Sequence, residues 1–215
     1  MNIILDNFAD YRSGFLTTLK FCAYAFVGSL ILGTILAGFR VSPVPPLRWV
    51  GTSWVNVVRN CPLTVVLFFC AFGLPEIGIN GDYFWFGVTA LVIYTSAFVC
   101  EAVRAGIGSV PAGQAEAARA VGLTFTQSLG NVILPQALRT VVPPLGSVMI
   151  AMVKNSAIAG AFGVSDLFAV GDTLTSSRGE AALPVLIGVV IGYLVITIPG
   201  GLLLGALERK VAIAR

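Results

Sequence analysis

Five stretches of the 215-residue chain are apolar over the length needed to cross a lipid bilayer. A transmembrane helix takes about 20 predominantly apolar residues. The predicted spans are residues 14–39, 50–74, 84–108, 133–153 and 183–207. Backbone polar groups find no water inside a bilayer, so apolar segments of this kind cross it as helices. We therefore predict an all-α polytopic membrane protein that forms a single domain over residues 1–215.

The composition agrees with this class. Hydrophobic residues make up 57% of the chain and charged residues 11%, whereas soluble domains carry about 25% charged residues. The net charge of +3 is scattered, and no run of basic residues predicts a nucleic-acid partner. The four cysteines all lie in apolar stretches without paired spacing, and the chain has no histidine. We expect the cysteines to pack in the interior, and we expect no metal site.

The basic residues are distributed unevenly between the two ends of the spans. Lys and Arg accumulate on the cytosolic side of membrane proteins. The residues assigned to that side are Arg40, Arg48, Arg104, Arg119, Arg139, Arg209, Lys210 and Arg215. The opposite side holds Arg12 and Arg178 together with Asp6, Asp10, Glu76, Asp82, Asp166, Asp172 and Glu180. This distribution predicts an external N-terminus and a cytosolic C-terminus.

Between the third and fourth spans lies a polar connection, residues 110–132, on the predicted cytosolic side. Residues 115–121 are rich in alanine and predict a short helix, which Gly122 ends. Thr124, with Gln127 three residues later, is typical of the capping box that starts a helix, and we expect this second helix to end near Pro135. The pattern predicts a helix, a glycine corner and another helix.

This connection carries a sequence signature. Glu116, Ala117 and Ala118 are followed by Gly122 and then by ILP at residues 133–135. Periodicity alone indicates an amphipathic cytosolic loop whose small residues permit close approach of another protein. The signature resembles the EAA loop of ABC-importer permeases, which in that family docks into a groove of the cytosolic ATPase. The resemblance implies that five residues couple the chain to an ATPase: Glu116, Ala117, Ala118, Arg119 and Gly122.

The resemblance extends over nearly the whole chain. The runs EAVRAGI (101–107), VPAGQ (110–114) and LPQALR (134–139) are similar to the polar amino acid branch of these permeases, the HisM/GlnP-like family. The runs RVSPV (40–44), VRNCPLT (58–64) and YTS (94–96) most resemble its glutamate permease subunits of the GluC type. The resemblance implies a type I ABC-importer transmembrane domain with five helices in the bacterial cell membrane.

A function as half of a translocation pathway follows from this resemblance. It implies an amino acid substrate, a second homologous permease subunit (a heterodimer rather than a homodimer), a cytosolic ATPase dimer and an extracytoplasmic binding protein. The sequence contains no GxxxxGK[ST] run, so we expect ATP and Mg²⁺ to be bound by the ATPase and no cofactor by this chain. The chain itself is expected not to be an enzyme. Glutamate, glutamine and other polar amino acids remain open as substrates.

Charged residues within the spans are candidates for the substrate pathway, because burying a charge in a bilayer is unfavourable unless it is paired or lines a wet cavity. Arg59 and Asn60 precede Pro62, which is expected to kink the second span. Lys154, Asn155 and Ser156 end the fourth span. The alternatives are that Arg59 pairs with an acid of a partner subunit and that Lys154 reaches the outer headgroups.

Three further features are predicted. Glu101 and Arg104 lie three residues apart on a helix and are expected to form a structural ion pair. Pro143 and Pro144 lie in the middle of the fourth span, which is expected to be bent or broken there. Residues 157–182 are too polar to cross the bilayer and predict an external segment with a short helix.

Functions of two other classes have weaker support in this sequence. An intramembrane hydrolase needs Ser156 as nucleophile and Lys154 as base, but side chains two residues apart on a helix point in different directions. A secondary transporter usually has more spans and an inverted repeat, and neither is visible in this sequence.

Overall fold

The computed structural model describes residues 2–177 and 181–211, and nearly all of them are helical. The α-helices are α1 (Asn2–Asp6), α2 (Phe8–Val41), α3 (Pro45–Asn60), α4 (Leu63–Phe68), α5 (Leu74–Glu76), α6 (Tyr83–Gly108), α7 (Ala112–Ala120), α8 (Phe125–Ser128), α9 (Leu134–Gly160), α10 (Leu167–Ser177) and α11 (Ala182–Val211). Two π-helical turns, Phe69–Gly73 and Leu129–Ile133, join α4 to α5 and α8 to α9.

Within the described residues, α2, α6, α9 and α11 are long and apolar enough to cross a membrane, and a bent pair of helices supplies a fifth candidate. The predicted spans 14–39, 84–108 and 183–207 lie within α2, α6 and α11. The direction of insertion stays a prediction. Arg178, Glu180 and Arg215, which contributed to it, lie outside the described residues.

The predicted span 50–74 is not one continuous helix. Helix α3 ends at Asn60, and the helical segment that begins at Leu63 leaves it at 103°. Pro62 has no N–H to donate and pushes the preceding residue into extended backbone, and Cys61 has φ −91° and ψ 133°. The kink predicted at Pro62 is therefore a full break. Residues 50–60 belong to a helix that starts at Pro45 and packs against both α2 and α6.

Helices α2 and α6 form the most extensive contact of the bundle. Small residues one turn apart on α2 face α6 and are buried: Ala25, Ser29, Gly33 and Ala37. A Cβ added at Gly33 meets Val99 at 2.6 Å and the Ser96 carbonyl oxygen at 2.7 Å. Small residues at this spacing let membrane helices approach closely and gain packing contacts. This stripe sets the distance between the two central helices.

Helix α9 is continuous through Pro143 and Pro144. The fourth span, expected to be bent or broken at these prolines, is not broken, because neighbouring helices and polar side chains can support proline inside membrane helices. The bend stays a prediction. Thr140, one turn before them, donates to the Ala137 carbonyl at 2.8 Å. The helix that follows the glycine corner does not end near Pro135 either, since it continues through the second π-helical turn into α9.

The predicted short helix of the external segment is α10. The chain turns at Gly163, whose φ of +90° suits glycine, and Asp166 then caps α10 by accepting a 2.9 Å hydrogen bond from the Ala169 N–H. The Leu167 N–H donates to Thr18 Oγ1 of α2 at 3.1 Å. Asp166 is fully buried, and its burial raises the pKa of the carboxyl group to about 6. This segment is thus anchored to the bundle by buried polar contacts.

Candidate coupling corner and substrate cavity

The connection after α6 forms a helix with a glycine-stabilised end. Helix α7 runs over Ala112–Ala120, and Gly122 follows with a φ of +86°. The Gly122 N–H donates to the Arg119 carbonyl at 3.0 Å, and the Leu123 N–H donates to the Ala118 carbonyl at 3.1 Å. These two bonds make a Schellman motif, in which glycine takes the left-handed position at low energetic cost. The predicted glycine corner is confirmed.

The second side of the corner starts with the predicted capping box. The Gln127 N–H donates to Thr124 Oγ1 at 3.3 Å, and the Thr124 N–H donates to Gln127 Oε1 at 3.0 Å. This reciprocal arrangement satisfies two N–H groups that the first turn of a helix leaves free. Residues 110–132 therefore form a defined helical corner, which we call the coupling corner.

The predicted coupling residues do not all face outward. Glu116, Ala117, Arg119 and Gly122 are exposed, whereas Ala118 is 5% exposed. Helix α7 packs against the π-helical turn Leu129–Ile133. Ala118 is therefore positioned to stabilise the inside of the corner rather than to contact another protein. Glu116 and Arg119 form no ion pair within the described part of the chain, so both charged groups remain available at the surface.

One exposed residue of the coupling corner was not predicted from the sequence. Val121 is 76% exposed, although it is a large apolar side chain. It occupies the helix-end position directly before Gly122. A single exposed apolar side chain is common on protein surfaces, so it is the position of Val121 at the corner that makes it a candidate contact residue. The sequence signal for this residue was an apolar side chain directly before Gly122, the glycine that ends α7.

Three arginines surround Glu101 of α6. The predicted pair is present, with Arg104 Nη2 2.9 Å from Glu101 Oε2. Arg40 of α2 donates to the other oxygen, Oε1, at 2.6 Å, and Arg59 of α3 lies 3.4 Å from that same oxygen. We call these four residues the Glu101 cluster. It joins α2, α3 and α6, and it identifies an acid of this chain as a partner for Arg59.

The Arg59 side chain also contacts a residue that lines a cavity between α6 and α9. Its guanidinium carbon lies 5.7 Å from the centroid of the Phe98 ring, close enough for a cation–π interaction. Phe98 is one of the residues that line a cavity of about 190 Å³, together with Tyr94, Thr95, Val148, Ala151, Met152 and Asn155. We call this space the α6–α9 cavity. It lies near the middle of α6 and in the C-terminal half of α9.

The other residues predicted for the substrate pathway are placed differently. Asn155 lines the α6–α9 cavity, whereas Lys154 is exposed and does not line it. Ser156 is fully buried and donates to the Val153 carbonyl at 2.7 Å. Asn60 is exposed and donates to the Asn56 carbonyl at 2.7 Å. Because Ser156 is buried and Lys154 is exposed, the arrangement gives no support to a serine–lysine dyad.

Comparison with known proteins decides the class of this chain. The family described as "binding-protein-dependent transport system inner membrane component" matches residues 29–213. The chain belongs to this family. It is therefore a transport subunit, a multi-pass permease of the bacterial inner membrane, and the hydrolase and secondary-transporter alternatives are set aside.

Similar permeases span almost the same length. The chain is 44% identical over 210 residues to a probable glutamine ABC transporter permease protein, GlnM, of Bacillus subtilis, covering 98% of this chain and 97% of that one. It is 39% identical over 213 residues to the glutamate transport system permease protein GluC of Corynebacterium efficiens, covering 94% and 93%. The resemblance to polar amino acid permeases of the GluC type is thus confirmed.

Solved structures show the same fold. A crystal structure of an amino acid ABC transporter with histidines superposes with a TM-score of 0.90 at 35% identity, covering 96% of each chain. The MetNI methionine ABC transporter in an inward-facing form gives a TM-score of 0.68 at 23% identity, covering 96% of this chain and 98% of that chain. This second similarity supports the fold alone. The permease has the type I ABC-importer fold.

Proposed function

We propose that this permease forms half of the pathway by which an ATP-driven importer moves glutamate, or a closely related polar amino acid such as glutamine, into the cell. The observation that carries the proposal is its similarity, over nearly its whole length, to permeases named for glutamine and glutamate. That similarity also favours one amino acid as the substrate over a larger solute.

The α6–α9 cavity supports a small zwitterionic substrate. Its volume of about 190 Å³ is below the roughly 300–1,000 Å³ of typical drug-sized sites. The Asn155 amide can donate and accept hydrogen bonds, and the Arg59 guanidinium at the Phe98 edge offers paired donors for a carboxylate. We propose Arg59 and Asn155 as substrate-contacting residues. Asn60, Lys154 and Ser156 are proposed only as neighbouring residues of the pathway.

The coupling corner supports attachment to a cytosolic ATPase. Glu116, Arg119 and Val121 are exposed around a glycine end that holds the helix at a fixed angle. The corner continues without interruption into α9, which lines the cavity. A movement of the corner by a closing ATPase dimer is therefore transmitted to one wall of the cavity. ATP and Mg²⁺ belong to that ATPase in this proposal.

A second permease subunit is part of the proposal. Two of the apolar helices are largely uncovered within this chain. Of the most apolar stretch of each, 17% is buried in α11 and 22% in the helix that contains α9. Large apolar side chains on these helices remain exposed, including Met149, Leu202 and Leu203. Lipid and a second, similar permease can cover these surfaces. We favour a heterodimer, to which an extracytoplasmic amino-acid-binding protein delivers the substrate.

Co-purification tests the assembly. The permease is tagged at its C-terminus, solubilised from native membranes and analysed by mass spectrometry. The proposal expects an ABC ATPase and a second five-span permease in one complex, and an amino-acid-binding protein after mild cross-linking. A tagged Glu116→Lys variant with normal membrane levels serves as the matched control, and it should lose the ATPase first. Isolation of the permease with none of these proteins contradicts the proposal.

A further inference from the structure

The Glu101 cluster contains three arginines and one carboxylate. Two positive charges are therefore left without an acidic partner in the cluster. Like charges held this close repel one another, so the excess positive charge of the cluster attracts a further anion. The arginine that Glu101 holds least firmly is the one available to another anion.

The three contacts of Glu101 are unequal. Arg40 is 13% exposed at its side chain and donates to Oε1, while Arg104 donates to Oε2 through both Nε and Nη2. Arg59 is 47% exposed and lies 3.4 Å from the Oε1 that Arg40 already occupies. Within the described residues Arg59 donates no side-chain hydrogen bond. It is the least firmly held arginine of the cluster.

The position of Arg59 in the chain allows it to move. It is the penultimate residue of α3, directly before the break at Cys61 and Pro62. If Arg59 leaves Glu101, that carboxylate keeps Arg40 and Arg104 as partners. The loss is therefore limited to one long and partly solvated contact, which contributes little to stability. The guanidinium carbon also lies 5.7 Å from the centroid of the Phe98 ring, and Phe98 lines the α6–α9 cavity.

We propose that Arg59 exchanges partners during transport, binding Glu101 when the cavity is empty and the α-carboxylate of the amino acid when it is loaded. Glu101 thus acts as a competing anion that sets the affinity of the permease for its substrate. Arg40 and Arg104 each occupy one oxygen of Glu101, which leaves Arg59 only weakly held by it. The inference rests on the proposed function and adds to it a positioning role for Glu101 and its arginines.

The exchange has a chemical reason. A carboxylate bound by two parallel N–H donors of a guanidinium gains stronger hydrogen bonds than the single long contact to Glu101 offers. A competing carboxylate inside the protein also keeps the affinity moderate, so that the substrate can leave toward the cytosol. Because every amino acid carries the α-carboxylate, Arg59 is expected to act equally on glutamate and glutamine.

Equilibrium binding to the assembled transporter tests this inference. The complex with its partner permease and a hydrolysis-deficient ATPase is placed in nanodiscs without the binding protein. Binding of radiolabelled glutamate and glutamine is then measured for the wild type, Arg59→Gln, Glu101→Gln, Arg104→Gln and the double variants Arg59→Gln/Glu101→Gln and Arg59→Gln/Arg104→Gln. The double variants isolate the coupling between the two residues.

The single substitutions are expected to change the affinity for the amino acids in opposite directions. Glu101→Gln removes the competing charge and should tighten binding of both amino acids several-fold, whereas Arg104→Gln frees a Glu101 oxygen and should weaken it. Arg59→Gln should weaken both by about tenfold or more. In the Arg59→Gln background the two other substitutions should have little effect. A merely structural cluster would instead give weaker binding for every substitution, with or without Arg59.

Different outcomes contradict the exchange of partners by Arg59 and the proposed transport function. Undiminished shifts in the Arg59→Gln background, or unchanged binding in Arg59→Gln itself, overturn the exchange while the wild type still binds. Absence of binding and of transport in the wild type would contradict the proposed function instead. The Glu101→Gln complex could fail to assemble on size-exclusion chromatography. In that case Arg104→Gln and Arg59→Gln/Arg104→Gln test the exchange by themselves. Arg104 is half-exposed, and its replacement leaves Arg40 paired with Glu101.

Discussion

Tyr193 of α11 donates a 3.0 Å hydrogen bond to Asp166 Oδ2, directly before α10. The two residues are 27 positions apart in the chain, and Asp166 is fully buried. Because burial raises the pKa of this carboxyl group from 3.8 to about 6, the folded protein binds its proton more tightly than the unfolded chain. The contribution of Asp166 to stability is thus greatest below its unfolded pKa and is lost as the pH rises through about 6.

Asp166→Asn removes this titration. We expect the stability of the wild type relative to this variant to increase as the pH is lowered from about 7 to about 4.5, since only the wild type takes up the proton. Melting temperatures of both proteins in nanodiscs across this range check the prediction. Tyr193→Phe is the control that keeps the carboxyl group and removes its donor. A difference in melting temperature that does not change with pH contradicts the account of Asp166.

Gly122→Ala should impair coupling through the backbone alone. A Cβ at this position meets no atom within 4 Å, but φ is +86°, and a left-handed residue other than glycine costs about 1–2 kcal/mol. We expect weaker stimulation of the ATPase by loaded binding protein, with normal membrane levels of the permease. Gly113→Ala is matched, since it lies on the same corner, inside α7, with open space around it and no positive φ. Equal behaviour of the two variants would refute this role for the corner.

Val121→Ser should weaken attachment of the ATPase. Burial of a valine side chain contributes about 1.5–3 kcal/mol, so loss of that contact should lower the affinity by roughly tenfold or more. Binding of purified ATPase to the permease in nanodiscs measures this affinity. Val44→Ser, at another exposed valine on the predicted cytosolic side, is the control and should have no effect. If both variants bind the ATPase normally, Val121 does not belong to the interface.

Gly106→Ala should destabilise the contact between α6 and α9. A Cβ added at Gly106 collides with Val141 and lies 3.2 Å from the Ala137 carbonyl oxygen. Overpacking of this kind typically costs about 1–3 kcal/mol. Thermal unfolding in nanodiscs should show a lower midpoint for Gly106→Ala than for Gly108→Ala, where the added Cβ meets nothing within 4 Å. Similar midpoints would contradict the close approach of these helices.

Local sequence signals predicted the features that depend on a few neighbouring residues. The capping box of Thr124 and Gln127, the glycine end at Gly122 and the ion pair of Glu101 and Arg104 all involve residues within one helical turn. Three of the predicted spans match their helices closely because hydrophobic length is a strong signal in a bilayer.

Features that depend on distant contacts were not predictable in the same way. Pro62 indicated a kink, but the angle of 103° reflects how α3 and α4 each pack against α6. Arg40 and Glu101 are 61 residues apart, and no local pattern relates them. Burial of Ala118 depends likewise on the π-helical turn that folds back against α7. Tertiary packing decides such features.

Uptake by the reconstituted importer tests the central claim most directly. Proteoliposomes contain this permease, its partner subunit, the ATPase and the binding protein, with no ion gradient, and accumulation of radiolabelled glutamate, glutamine and arginine is followed. The account predicts accumulation of glutamate or glutamine, but little of arginine, only when hydrolysable ATP is present on the ATPase side. Accumulation that needs a sodium or proton gradient but no ATP, or an active complex that moves neither glutamate nor glutamine, would contradict it.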